Sequence, residues 1–142
     1  MRYIPKYFQS YELLPENIYS SMGDNGLYLI DDRILWTIDQ IREYYNSPIT
    51  VNNWKQNGPF SQRGYRNDSL TGALYSAHRF GRAVDFDISG ITSQQFRNNV
   101  RSGILDKILV YITRIEDLVD WNHIDCMGLP RNSNDKIEFF NA

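Results

Sequence analysis

An alternating segment near the middle of the chain constrains the fold most. Ala83–Ile88 switches at every step between large apolar and small or acidic side chains: Val84, Phe86 and Ile88 against Ala83, Asp85 and Asp87. Because successive side chains of a strand point to opposite faces, this pattern predicts a strand with one apolar face. The two carboxylates then share the other face and point away from the core.

The composition limits the class of protein to which such a strand can belong. The chain has 142 residues, of which 42% are hydrophobic and 23% are charged, typical of one globular domain with a single core. A net charge of -2 argues against a broad binding surface for nucleic acid or an anionic membrane. The single cysteine, Cys126, excludes an internal disulfide and a multi-thiolate zinc site, so histidine and carboxylate would have to hold any metal.

The N-terminal third is predicted to contain a lead-in and one clear helix. Residues 1–30 are rich in Tyr, Pro, Gly and Asn, with a short helical candidate around 12–19, and predict an arm packed on a domain of residues 31–142. Apolar side chains recur at helical spacing over 31–45, which predicts a helix ended by Asn46-Ser47-Pro48.

The remaining elements predict a mixed fold. Strands are expected at 49–54 and 108–112, and a helix capped by Thr92 or Ser93 is expected to run to Ser102 before Gly103. A hairpin is expected between 122–126 and 136–140, and residues 55–75 form a long loop that could line a site. The predicted class is α+β, a small antiparallel or mixed sheet with helices packed on one side.

No targeting or membrane segment is expected. The N-terminal residues lack the apolar stretch and small-residue cleavage site of a signal peptide, and no run of about 18 apolar residues occurs. We therefore expect synthesis in the cytoplasm and no membrane span. The site of action could still be a cell wall or a virion, and the oligomeric state is left open.

Both histidines lie beside carboxylates. Asp85 follows His78 by seven positions, and Gly81 between them could adopt the positive φ that lets the chain turn back. His123 shares a face with Asp125 if that segment is extended. Two histidines and one aspartate are the ligand count of an open tetrahedral zinc site. From spacing alone, a metal site and an ordinary hydrogen-bonded His–Asp pair both stay open.

The same residues resemble a known family. The S-x-H-x-x-G-x-A-x-D signature of the M15 zinc peptidases is matched by Ser76, His78, Gly81, Ala83 and Asp85. This group includes D-Ala-D-Ala carboxypeptidases and phage endolysins, and it shares its zinc-binding fold with the hedgehog signalling domain. Two more family motifs follow its order along residues 31–127: Gly64-Tyr65-Arg66 and His123-Ile124-Asp125.

The resemblance implies a function and a site. His78, Asp85 and His123 would be the Zn2+ ligands, Arg66 the catalytic cation near the substrate carbonyl or carboxylate, and Ser76 a hydrogen-bonding support of the ligand loop. The expected activity is that of a zinc metallopeptidase. Its expected substrate is an amide bond in peptidoglycan stem peptides, cleaved in the carboxypeptidase or the endopeptidase (endolysin) manner.

The general base is where this chain departs from the family pattern. Many members have a glutamate three residues before the last histidine, and here that position is Asp120, with Trp121 one place earlier than usual. Asp120 is the predicted base, although its side chain is one methylene shorter. Glu116 could reach the site only if the loop before Trp121 folds back. Asp125 or Asp87 could orient the histidine ligands.

Three alternatives remain at this level. Arg63 is a rival to Arg66 for the substrate contact. Trp54 and Trp121 could stack on a sugar, although scattered aromatic residues are more often core or rim residues. The protein could also be a non-catalytic zinc-binding module, for example a phage virion component.

Overall fold

The computed structural model describes residues 2–67, 72–132 and 134–142. Within them the regular elements are three α-helices, α1 (Glu16–Met22), α2 (Asp32–Tyr45) and α3 (Ser93–Ser102), and five strands, β1 (Ile49–Thr50), β2 (Ala83–Ile88), β3 (Arg114–Glu116), β4 (Asn122–Asp125) and β5 (Glu138–Phe140). Short 3-10 helices occur at Ser10–Glu12, Gly23–Leu29, Trp54–Gln56 and Ala77–Phe80.

The strands form one mixed sheet in the order β1-β2-β4-β3-β5. The pairs β1/β2, β2/β4 and β3/β4 are antiparallel, and β5 runs parallel to β3 at the edge. The predicted α+β class, with a small mixed sheet and helices, is confirmed.

The sheet has two chemically different faces. On one face, the inward side chains of β2, β3 and β4 are almost fully buried and join a single hydrophobic cluster with α2 and α3: Val84, Phe86, Ile88, Ile115 and Ile124. Phe86 meets Phe96 of α3 edge to face, with ring centroids 5.5 Å apart. The opposite face carries charged and imidazole side chains in register, with Asp85 opposite His123 and Arg114 opposite Asp125.

Local signals placed the two longer helices. Asp31 caps α2 by accepting a hydrogen bond from the backbone N–H of Arg33, and Asn46 ends it in the left-handed region at φ 48°. Thr92 and Gln95 form a reciprocal capping box at the start of α3, and Gly103 ends that helix. Both helices therefore begin and end where the sequence predicted.

Two predicted strands are wrong in part or whole. The segment 49–54 forms a strand only at Ile49–Thr50, and a 3-10 helix begins at Trp54. The segment 108–112 is a series of turns, and the strand lies at Arg114–Glu116 instead. The buried side chains there are Leu105, Leu109 and Ile112, which have the spacing of a helix. The β-branched residues of the segment therefore misled the strand prediction.

The expected hairpin between 122–126 and 136–140 is also wrong. Both segments contain strands, but β4 pairs with β2 and β3, and β5 pairs with β3. Strand β3 lies between them in the sheet. Turn residues indicate only the pairing of segments that are close in the sequence, so they could not predict this strand order. The helical candidate at 12–19 is shifted: Pro15 is the N-cap, so α1 runs from Glu16 to Met22.

The lead-in is anchored on α2 by a buried carboxylate. Asp39, only 1% exposed, accepts hydrogen bonds from the Tyr3 hydroxyl at 2.6 Å and from the backbone N–H groups of Lys6 and Tyr7. Phe8, Leu13, Leu14 and Ile30 join the same hydrophobic cluster as the sheet. Among the described residues no helix has the length and apolar character needed to span a membrane.

Candidate metal centre

The polar face of the sheet brings the three predicted ligands together. His78, Asp85 and His123 each offer one ligand atom, and these atoms all lie within 4.8 Å of one another. Asp85 lies on β2 and His123 on the neighbouring β4, directly opposite in the register. His78 comes from the 3-10 turn that precedes β2. The group could hold a metal ion.

The turn that carries His78 is fixed by its own residues. Ser76 caps it, and its hydroxyl accepts a hydrogen bond from the backbone N–H of His78 at 3.3 Å. His78 Nδ1 lies 3.0 Å from the carbonyl oxygen of Gly64, so the proton belongs on Nδ1. That arrangement leaves Nε2, 3.3 Å from Asp85 Oδ1, as the nitrogen available to a metal.

His123 presents its opposite nitrogen to the cluster. Its Nδ1 lies 2.8 Å from Asp85 Oδ1, and its Nε2 lies 2.9 Å from Asp125 Oδ2. Asp125 is fully buried, and Arg114 donates two hydrogen bonds to its two oxygens at 3.0 and 2.9 Å. Asp125 therefore orients the imidazole as predicted, and Arg114 holds Asp125.

The electrostatics follow from these contacts. Burial opposes ionisation of Asp85, yet the hydrogen bond from His123 and the adjacent His78 imidazole hold the pKa of its carboxyl well below its usual range. Burial likewise disfavours the cationic form of His123, but hydrogen bonds to Asp125 and Asp85 outweigh it and raise the pKa of His123 to about 9. Without a metal the centre is thus a cation between two carboxylates, and a metal at Nδ1 would take the place of a proton.

Arg66 borders the same cluster. Its Nη2 lies 3.9 Å from Asp85 Oδ2, and its Nε donates to the carbonyl oxygen of Gln62 at 3.3 Å. Nη1 lies 3.5 Å from the Ser76 hydroxyl, a long and weak contact. The guanidinium is largely buried beside the ligands, the place expected for a cation that faces a substrate oxyanion or carboxylate.

The two candidate bases are placed very differently. Asp120 is exposed and, among the described residues, has no hydrogen bond or ion pair with the three ligands. Glu116 is 8% exposed at the end of β3, and its Oε2 lies 4.0 Å from His123 Nδ1, the nitrogen that faces Asp85. The β3/β4 register pairs Arg114 with Asp125 and Ile115 with Ile124, and its continuation by one residue leads from Glu116 to His123. That strand lay outside the predicted elements, so no sequence signal placed Glu116 at the site.

Both glycines of the family motifs lie against the lead-in. A Cβ on Gly64 would come within 2.1 Å of the carbonyl oxygen of Leu13. Gly81 has φ +68°, and a Cβ there would meet the carbonyl oxygen of Leu29 at 1.8 Å. The backbone of the lead-in therefore supports both loops that carry site residues, and only glycine fits at either contact.

The other candidates lie outside the cluster. Arg63 donates to Asp87 at 3.0 Å and lies over the Phe60 ring, so its charge is already neutralised. Asp87, bound in this way, does not orient a histidine. Trp54 is half-buried and donates its indole N–H to the carbonyl oxygen of Leu14. Trp121 is half-buried, and among the described residues its indole nitrogen has no hydrogen-bond partner.

No family model, curated protein or solved structure matches this chain. The resemblance to the M15 peptidases therefore stays a prediction carried by the motif residues. The geometry of the cluster is independent of it, because that geometry follows from the sheet register and the hydrogen bonds described above.

Proposed function

We propose that the protein is a zinc metallopeptidase that hydrolyses an amide bond in peptidoglycan stem peptides. The observation that carries this proposal is the cluster of His78 Nε2, Asp85 and His123 Nδ1, with the Glu116 carboxylate 4.0 Å from the same His123 nitrogen. The M15 resemblance supplies the substrate class.

The donor set fits zinc in a catalytic rather than a closed structural site. Two imidazole nitrogens and one carboxylate are the three protein ligands typical of catalytic zinc, which keeps a further position open. A zinc ion in this set would polarise the scissile carbonyl and lower the pKa of the attacking water. Cys126 is not a member of this ligand group among the described residues, and its side chain is fully buried in the hydrophobic cluster.

Protein side chains supply the remaining roles. Glu116 accepts a proton from the attacking water at its carboxylate and delivers it to the leaving amine. Arg66 stabilises negative charge on the substrate oxygen. Asp125 holds Nε2–H of His123, so that Nδ1 faces the cluster. Glu116 is not a member of the three-residue ligand group, as expected for a base that acts through water.

The test compares two isosteric variants in the presence of zinc. We expect the purified protein to release new amine termini from peptidoglycan fragments. Glu116→Gln should lower kcat by about 100-fold or more while zinc affinity stays the same, because general-base catalysis contributes about that much. Asp120→Asn is the matched control and should keep its activity. The reverse result would assign the base to Asp120.

Zinc binding without cleavage would distinguish a non-catalytic module from a peptidase. If the wild-type protein binds zinc stoichiometrically but releases no amine from any stem-peptide fragment near neutral pH, the peptidase proposal fails. The chain would then be the non-catalytic zinc module of the alternative hypothesis. If equilibrium dialysis shows no bound zinc, the metal centre itself is refuted.

A further inference from the structure

Helix α3 carries an arginine in an unusual place. Arg97 is 3% exposed, next to the core residue Phe96. A buried guanidinium is costly to desolvate and persists in proteins when its donors and its charge are matched. Neither the M15 motifs nor the proposed chemistry uses Arg97, so its partners are informative.

Among the described residues, the partners of the Arg97 side chain all lie in one connection. Nη2 donates to the carbonyl oxygen of Val119 at 2.9 Å, and Nη1 donates to that of Trp121 at 3.3 Å. Nε lies 3.3 Å from Asp117 Oδ1, an ion-pair contact in which Nε makes no hydrogen bond among the described residues. One side chain thus contacts three of the five residues between β3 and β4.

The rest of α3 holds the same connection. The Ser93 hydroxyl donates to the carbonyl oxygen of Val119 at 3.2 Å, and Arg101 donates to Asp117 at 2.6 Å. Within the connection Leu118 has φ +59°, a conformation that a side chain of its size rarely adopts. The backbone there is strained, so it keeps this shape because its surroundings fix it.

This connection joins the two residues whose relative position matters most. Glu116 precedes it as the last residue of β3, and His123 follows it on β4. A forked guanidinium can hold two carbonyls at once in a fixed plane, which an ammonium cannot do. We propose that Arg97 is a positioning residue that sets Glu116 and His123 at their working separation; this inference rests on the metal centre proposed above.

The experiment measures the metal centre rather than stability alone. Arg97→Leu and Arg97→Lys are prepared in the full chain. Zinc affinity is measured by chelator competition, and ligand geometry is followed from the visible absorption of bound Co²⁺. We expect Arg97→Leu to bind zinc about tenfold more weakly or worse, the range seen when outer partners of a metal site are lost, with an altered Co²⁺ spectrum.

Arg131 offers the matched control. Its guanidinium donates to three main-chain carbonyls of another irregular region, those of Leu109, Ile112 and Asp135. Arg131→Leu removes the same kind of contact, so it should lower the melting temperature but keep wild-type zinc affinity and Co²⁺ absorption. If the zinc affinities of Arg97→Leu and Arg131→Leu agree within about twofold, Arg97 only stabilises the fold and the inference is wrong.

Arg97→Lys keeps the test decisive if the leucine variant does not fold. It retains the charge and loses the fork, so we expect a folded protein with weaker zinc binding and a kcat that falls more than KM changes, because Glu116 is displaced. Wild-type zinc affinity and Co²⁺ absorption in Arg97→Lys would overturn the role. A wild-type protein that binds zinc but cleaves nothing would refute the peptidase proposal alone.

Discussion

The two faces of the sheet use the same strands for opposite purposes. On β2, Phe86 is fully buried among apolar side chains, while its neighbour Asp85 lies in a cluster of imidazoles and carboxylates. The apolar face needs only volume and hydrophobicity, which many sequences supply. The polar face needs particular atoms at particular distances. Stability and function thus depend on neighbouring residues of the same strand. Substitutions on the apolar face should lower the free energy of unfolding, and substitutions on the polar face should weaken metal binding.

The largest effect is expected on the apolar face. Phe86→Ala removes a fully buried ring that packs against Phe96, and should lower the free energy of unfolding by about 3–5 kcal/mol. Urea unfolding of the metal-free protein measures it. The molecules that remain folded should bind zinc nearly as the wild type does. A loss below about 1 kcal/mol would mean that the sheet is not covered as described.

The polar face should respond through metal affinity. Asp85→Asn keeps the side-chain volume but removes the carboxylate that both histidines contact, so zinc affinity should fall by at least about 100-fold, beyond the usual cost of losing an outer partner. Asp87→Asn is the matched control two residues along the same face, since Asp87 pairs with Arg63. Equal zinc affinities in the two variants would contradict the assignment of Asp85.

The smallest expected effect is on the pH dependence of the melting temperature. In the metal-free protein the pKa of His123 is raised from 6.5 to about 9, so its protonated form stabilises the fold. That contribution is fully present below about pH 6.5 and is lost as the pH rises through about 9. The pKa of Asp85 is lowered, so Asp85 stays ionised across this window. The melting temperature should therefore fall between these pH values.

Two variants separate the faces in that measurement. His123→Gln removes the titrating group, so its melting temperature should change less over the same range. Phe86→Ala should shift the whole curve downward without changing its shape, because Phe86 packs against Phe96 whereas His123 contacts Asp85 and Asp125. If the wild type and His123→Gln have the same pH dependence, the proton on His123 does not stabilise the fold.

Much of the fold was predictable because its signals are local. The alternation of Ala83–Ile88 predicted β2 and the face of its acids, and the caps at Asp31 and Thr92 predicted the starts of α2 and α3. The turns around 108–112 were misread because β-branched content was weighed above the helical spacing of the buried side chains. The pairing of β5 with β3 carries no local signal.

The candidate site likewise contains residues that the sequence predicted and one residue whose position it did not predict. His78, Asp85 and His123 were identified from motif residues and spacing, and the structure brings them together. The sequence predicts that Glu116 reaches the site only if the loop before Trp121 folds back. It reaches His123 simply because β3 lies beside β4, without any folding back of the loop before Trp121.

The sequence by itself determined which residues could bind a metal and which face of β2 carries Asp85, because side-chain chemistry and strand periodicity are local properties. Only the tertiary structure decided what surrounds them: Glu116 through the strand order, Arg97 through the packing of α3, and the need for glycine at 64 and 81 through the lead-in backbone. Those contacts join residues far apart in the chain, and packing in three dimensions fixes them.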